Sequence, residues 1–324
     1  MKTTSKSFIV PLIFVSAVLQ AQTQRIRSLT LMGSLFDITV VDKDSLSAEK
    51  AIDKAILEIT RIENLISEWR PETQVSEVNR NAGIKAVKVN KELIELTKTA
   101  IRFSELTDGA FDISIVAMDK IWKFDGTMET LPDADAIKSS IRNVGYQNIE
   151  IDTVNSTLFL KNKGMKIGFG SIGKGYAADR ARTFLKQDGV MGGIINASGD
   201  MSIWGTQTNG EAWAIGVNNP FRPEKIASVI QKREEISITT SGNYEKFVEI
   251  DGKRYSHIIN PKTGMPSSGL ASVTVIGPDA TTANGFSTSL MVLGKKKARK
   301  LMKQFPNYSY VLITDKGNII RSLK

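Results

Sequence analysis

SVTVIGPDATTANGFSTSLMVLG, residues 272–294, reads as the end of a strand over 271–277 followed by a Thr/Ser/Asn-rich stretch, Thr281–Thr288, that opens an apolar helix. Just upstream, SGNYEKFVEIDGKRYSHIINPKTGMP (residues 241–266) carries a strand over 246–250 and the single histidine of the chain, His257. A lone histidine has two readings. It is a hydrogen-bonded structural residue, or a general base, since imidazole titrates near neutral pH and can take a proton from a hydroxyl.

Working outward, residues 28–42 predict a strand pair bent at Gly33. SLSAEKAIDKAILEITRIENLISEW places Ile52, Ala55, Ile56, Ile59, Ile62, Ile66 and Trp69 at helical spacing, with Ser47 as the expected N-cap. Asn90 can cap a second helix that stops near Gly109. A third follows Asp133 and ends at Gly145. Residues 148–161 alternate about an Asn-Ser turn, a hairpin signal. YAADRARTFLKQ predicts a helix closed by Gly189. Further strands are expected at 190–204, 212–217, 226–231, 236–240 and 308–314. Hairpins and helices without a strict βαβ rhythm predict an α+β fold. No repeat or linker divides the chain, so one domain over 22–324 is expected.

Residues 1–21 read as a secretory signal peptide. Lys2 and Lys6 precede the short apolar run Phe8–Leu19, which contains Pro11 and is too short to span a bilayer, and Ala21 is a small residue for cleavage. The expectation is an exported, soluble protein, periplasmic or on the outer face of the inner membrane. The chain has no cysteine. That excludes disulfides, thiolate metal sites and a lipoprotein anchor, leaving a buried core to hold the fold. The formal charge of +9 includes the two leader lysines and favours anionic ligands or proximity to a negative membrane surface. The densest basic run, Lys295–Lys300, reads as a solvated helix face beside Ala298, Leu301 and Phe305. Basic residues are not interleaved with stacking aromatics, so no nucleic-acid partner is expected.

Three stretches carry candidate chemistry. GFGSIGKGYAAD (Gly168–Asp179) matches the letters of the dinucleotide fingerprint but lacks the acid after the next strand. It nearly matches the P-loop but has Gly175 where Ser or Thr must hold magnesium. What remains is a glycine turn opening a helix, where backbone amides and Lys174 can meet phosphate, or a purely structural turn. Gly109–Asp112 offers a backbone wall for a flat ring, or a helix cap leading into the core. Asn284, Ser287 and Thr288 fall on one helical face and present oxygens suited to magnesium or calcium, while capping explains Thr281 and Thr282. A Ser-His hydrolase finds no support, because no G-x-S-x-G elbow is present.

Taken together and in order, MGS (32–34), SEWRPETQVSEVN (67–79), TDGAFD (107–112), GSIGKGYAAD (170–179), NASGDM (196–201), TSGNYE (240–245), SHIINPKTGMP (256–266) and ANGFSTSLMVLG (283–294) resemble the ApbE family, the FAD:protein FMN transferases. The resemblance covers nearly all the chain after residue 21. It implies an ApbE-like α+β domain related to the T-fold, and an exported enzyme that splits FAD with Mg2+. FMN would be attached through a phosphoester to a Thr or Ser hydroxyl of an acceptor flavoprotein, typically a subunit of a membrane redox complex, with release of AMP. By motif, Met32, Trp69, Ala110, Phe111 and Asp112 would line the flavin or adenine pocket. Lys174 and Ile258 would contact FAD, and Gly168 stands at a further FAD position. The Ser171 carbonyl with Asn284, Ser287 and Thr288 would hold the metal, and His257 would be the base. The family usually carries aspartate where this chain has Gly168 and Asn284. A carboxylate-poor metal face would lean on the FAD diphosphate for charge. The alternative is an FAD-binding protein or a Mg-dependent FAD pyrophosphatase.

Overall fold

The computed structural model describes residues 22–233, 235–244 and 246–322; the leader read at 1–21 lies outside them. In chain order the elements are β1 (Thr23–Leu31), β2 (Ser34–Asp42), α1 (Ser45–Ile66), α2 (Gln74–Arg80), β3 (Val87–Lys88), α3 (Lys91–Leu106), α4 (Ala134–Ser140), β4 (Ile149–Asp152), β5 (Thr157–Leu160), α5 (Gly173–Gln187), β6 (Gly192–Ala197), β7 (Asp200–Trp204), β8 (Ala214–Asn219), β9 (Arg222–Gln231), β10 (Ile236–Gly242), β11 (Phe247–Ile250), β12 (Lys253–Ser256), β13 (Leu270–Gly277), α6 (Ala280–Met302), β14 (Ser309–Thr314) and β15 (Ile319–Arg321).

The expected α+β class holds. Eight strands form one sheet in the order β1-β2-β6-β7-β10-β13-β14-β15, and every pairing within it is antiparallel. Two of its hairpins turn on residue pairs with positive φ at both positions: Met32 and Gly33 (51° and 68°), and Ser198 and Gly199 (51° and 93°). That backbone twist matches the twist of the flanking strands. Register then follows: Leu31 pairs Ser34, and Ala197 pairs Asp200.

The sheet has a helical face and a hairpin face. On the first, α1 buries Ala48, Ala51, Ile52, Ala55, Ile59, Ile62 and Ile66, the stripe that its periodicity predicts. α5 and α6 pack beside it, α6 bringing Phe286 and Leu290 into the same cluster as Val273 and Val275 of β13. On the second, the β8–β9 hairpin covers Ile203, Ile236, Ile238 and Val311 with Trp213, Val217 and Ile230. A smaller cluster gathers Trp122, Val248, Ile250 and Tyr255.

Some expected boundaries move, each for a physical reason. Asp44 rather than Ser47 caps α1, because its carboxylate accepts the Ser47 amide at 2.8 Å. Trp69 leaves the helix stripe: α1 ends at Ile66, where Thr73 Oγ1 donates to the Ser67 carbonyl at 2.6 Å and turns the chain outward. α4 ends at Ser140, before Gly145. The span 190–204 is a hairpin rather than one strand, broken by Ser198 and Gly199. Past Gly294, whose φ of 70° kinks α6, the basic run is exposed while Ala298 and Leu301 are buried, a solvated face as expected. No helix among the described residues is long and apolar enough to cross a membrane.

Candidate functional site

A cavity of about 500 Å3 opens where the β1–β2 turn, the segment after α1 and the start of α5 meet. That size suits a small-molecule or cofactor site. Its walls include Met32, Glu68, Trp69, Gly170, Gly173 and Lys174. Each is placed by a local rule. Met32 projects from a turn that needs left-handed backbone. At Gly173 a Cβ would lie 2.6 Å from Ile66 Cδ1, so a side chain there would have to displace that methyl. Ile172 gives α5 no side-chain cap; of the first-turn amides Gly173 N–H is taken by the Phe169 carbonyl at 2.6 Å, which leaves those of Lys174 and Gly175 to meet a phosphate. Trp69 is 78% exposed, with the Lys120 ammonium 5.8 Å from its ring centroid. A bare indole at a cavity mouth is a stacking platform for a flat ring.

Below the cavity a polar seat is buried between sheet and helices. Along β7 and β10 alternate side chains face α5 and α6: Asp200 and Ser202 on one strand, Ser237, Thr239 and Ser241 on the other. Lys174 pairs with Asp200 at 2.8 Å, and the other Asp200 oxygen accepts Asn284 Nδ2 at 3.1 Å. Ser287 and Thr288 both meet Ser241 Oγ, at 2.9 and 3.4 Å. Asn284, Ser287 and Thr288 therefore share one face of α6, as their spacing predicts. Ser171 stands half-buried three residues before Lys174. The seat offers oxygens of the kind Mg2+ takes, and one of them, Asn284 Oδ1, is buried without a hydrogen-bond partner. The donors thus fit a small hard cation. They do so with few carboxylates: no group of three or more acids or histidines is gathered among the described residues.

His257 stands at the end of β12, half-buried. Its backbone N–H and its ring Nδ1 both lie on the Lys246 carbonyl, at 3.2 and 3.0 Å, and Lys246 is itself a cavity wall. A carbonyl can only accept, so Nδ1 carries a proton, which selects the neutral tautomer whose basic nitrogen is Nε2. Phe124 meets the ring edge-on at 6.5 Å. The following NPKTGM closes as a tight turn, with Gly264 N–H on the Asn260 carbonyl at 2.9 Å and Trp122 Nε1 on the Gly264 carbonyl at 2.9 Å. That turn anchors the histidine loop to the third apolar cluster.

Not every expected residue reaches the cavity wall. Phe111 is buried against Phe103, their rings 5.6 Å apart, and Ala110 faces a separate depression shared with Lys262. Asp112 is buried and fully engaged: one oxygen accepts Ser114 N–H and O–H at 2.8 and 2.6 Å, the other Tyr146 N–H at 2.9 Å. Burial pushes its carboxyl above the usual range despite those bonds. Ile258 packs on the main core, its N–H on Ser256 Oγ. Gly168 lies beneath the cavity, where a Cβ would meet Glu68 Cδ and Oε1 at 3.0 Å. It is Glu68 that lines the cavity there, with its pKa raised by burial.

Glu68, Lys246, Asp200 and Thr239 were not singled out by the sequence reading. Glu68 and Lys246 give no signal at all in one dimension. Asp200 could have been found: it opens a strand straight after a Ser-Gly turn, and alternation puts it on the face of Ser202.

The family model described as "ApbE family" matches residues 32–312. A FAD:protein FMN transferase of Klebsiella pneumoniae (strain 342) is 32% identical over 296 residues, covering 91% of this chain and 90% of that one. The structure is similar to the ApbE protein of Thermotoga maritima, with a TM-score of 0.82, 32% identity and coverage of 93% and 97%. It is also similar to the apo form of the Pseudomonas stutzeri flavinyl transferase ApbE, with a TM-score of 0.80, 27% identity and coverage of 94% and 95%.

Proposed function

The chain belongs to the ApbE family, and from that premise we propose that it is an FAD:protein FMN transferase that moves the FMN half of FAD onto a hydroxyl of an acceptor flavoprotein. One observation carries the reading: the cavity that holds Met32, Trp69 and Lys174 is joined through the Lys246 carbonyl to His257. A ring platform, a phosphate cation and a base with a fixed tautomer share one site.

Phosphoryl transfer asks a protein mainly for position and charge neutralisation. Trp69 stacks a flat ring at the mouth, and the α5 amides with Lys174 meet the diphosphate. His257 Nε2 takes the proton from a Thr or Ser hydroxyl of the acceptor as that oxygen bonds to the FMN phosphorus. The bond from that phosphorus to the bridging oxygen breaks, and AMP leaves with the oxygen. Asn284 Oδ1, the hydroxyls of Ser287 and Thr288 and the Ser171 carbonyl would hold Mg2+, which supplies charge neutralisation at the diphosphate. The basic-then-apolar stretch at 1–21 supports a site of action outside the cytoplasm, with a membrane redox subunit as the acceptor class.

Incubating the protein with FAD, Mg2+ and a candidate acceptor, then separating on a denaturing gel, tests the reading. Flavin fluorescence on the acceptor band with stoichiometric AMP is expected; AMP and free FMN without a labelled band would make the protein a pyrophosphatase instead. His257→Ala should bind FAD and lose transfer by about 10²–10⁴-fold, the usual contribution of a positioned base. Full activity in that variant removes the assignment.

A further inference from the structure

Asp200 has no part in the scheme above, yet it joins two residues that do. It is 2% exposed, one oxygen on Lys174 Nζ at 2.8 Å and the other accepting from Asn284 Nδ2 at 3.1 Å. A carboxylate only accepts, so this contact decides which way the Asn284 amide faces: nitrogen toward Asp200, oxygen away. That oxygen is buried without a hydrogen-bond partner. Directly across the strand pair from Asp200 is Thr239, whose Oγ1 is buried in the same condition. Cross-strand partners hold their Cβ atoms about 4.5–5.5 Å apart on one face. Leaving a buried polar group unmet is costly. Two such oxygens flanking one buried acid mark a place whose lone pairs are kept for a cation.

We propose that Asp200 is a positioning residue of the transfer site, holding the Asn284 oxygen toward Mg2+ and the Lys174 ammonium toward the diphosphate, and lending the negative charge that Asn284, Ser287 and Thr288 lack. The inference rests on the transferase reading. An amide oxygen is a weak ligand by itself; a carboxylate hydrogen-bonded to the far side of that amide fixes its orientation and raises its basicity. The fold supports the placement. Asp200 follows a two-residue turn that fixes the β7 register, and it faces α5 and α6 from the floor of the sheet.

The test is Mn2+ binding, read from the spectrum of the free ion by electron paramagnetic resonance, with FAD present. It compares the full chain, Asp200→Asn, and the swap Asp200→Asn/Asn284→Asp, with melting temperatures alongside. Asp200→Asn should weaken Mn2+ binding about 10–100-fold, the usual cost of losing an outer-shell partner. The swap returns one acid to the pair, now on the cation side, and should bind Mn2+ at least as tightly as the unmodified chain. Unchanged Mn2+ affinity in Asp200→Asn overturns the inference and leaves the transferase reading standing. So does a folded swap variant that fails to recover binding. An unmodified chain that binds FAD but no Mn2+ removes the metal from the reading and this inference with it. Should Asp200→Asn not fold, the swap decides alone.

Discussion

At the scale of single residues, Glu68 shows what a cavity wall costs. Folding moves its carboxyl partly out of water, and the causes that set its pKa include no cation. Burial therefore raises it above the ordinary value of 4.5. The sign follows by linkage. Over the interval between the unfolded and folded values, the folded chain holds a proton that the unfolded chain has released. The stability this contributes is complete below the unfolded value and is lost as pH rises through the folded one. Asp112, raised in the same direction by burial, adds to that slope. Glu68→Gln should thus flatten the fall of stability as pH rises from about 4.5. Urea midpoints measured at a series of pH values check this, and an unchanged slope rejects it. Lys174 and His257 stand out from the residues themselves, as the cation of a glycine-rich helix start and a lone histidine, whereas Met32 and Trp69 were picked out only through the family motifs. Glu68 acquires meaning only from a neighbour distant in the chain, Gly168; the strand position of Asp200 is readable locally, but its role comes from Lys174 and Asn284.

At the scale of elements, the helices were legible where apolar spacing is regular, as in α1, and where a cap is local, as with Asn90, whose side chain accepts the Glu92 amide at 2.8 Å. The short pieces were not. α2, β12 and β15 are too brief for a period to show, and tertiary pairing defines them. The closeness of α5 to α6 was also hidden, because its cause is an absent side chain. A Cβ on Gly175 would lie 2.4 Å from the Ala280 carbonyl oxygen and 3.0 Å from Asn284 Cβ. Backbone cannot yield as a flexible side chain can. Gly175→Ala should therefore lose about 1–3 kcal/mol to overpacking, set against about 1 kcal/mol from better helix propensity, for a net loss. Because the displaced neighbours include Asn284, metal affinity should fall with stability in this variant. Chemical denaturation and Mn2+ titration on the same preparation check both, and a stability gain would mean the two helices separate freely.

At the scale of the whole molecule, the eight-stranded sheet draws its strands from Thr23 to Arg321, so neither half of the sequence closes a core alone. Chains of this length often unfold in steps, but steps need parts that are stable apart. Here the two large apolar clusters lie on opposite faces of one sheet, and the third leans on the strands and turn that carry His257. The four tryptophans make this testable. Trp204, Trp213 and Trp122 each belong to a different cluster, while Trp69 stands exposed at the cavity. In each variant keeping one tryptophan, with Phe at the other three positions, tryptophan fluorescence and far-UV circular dichroism should report one coincident transition whichever cluster holds the indole, since a sheet common to all three couples them. Among the four reporters, FAD should quench Trp69 most strongly, because only that indole is placed to stack on the added ring. A Trp213 fluorescence transition apart from that of circular dichroism would show that the hairpin layer over the sheet opens independently, and the cavity would then be held by the helical face alone.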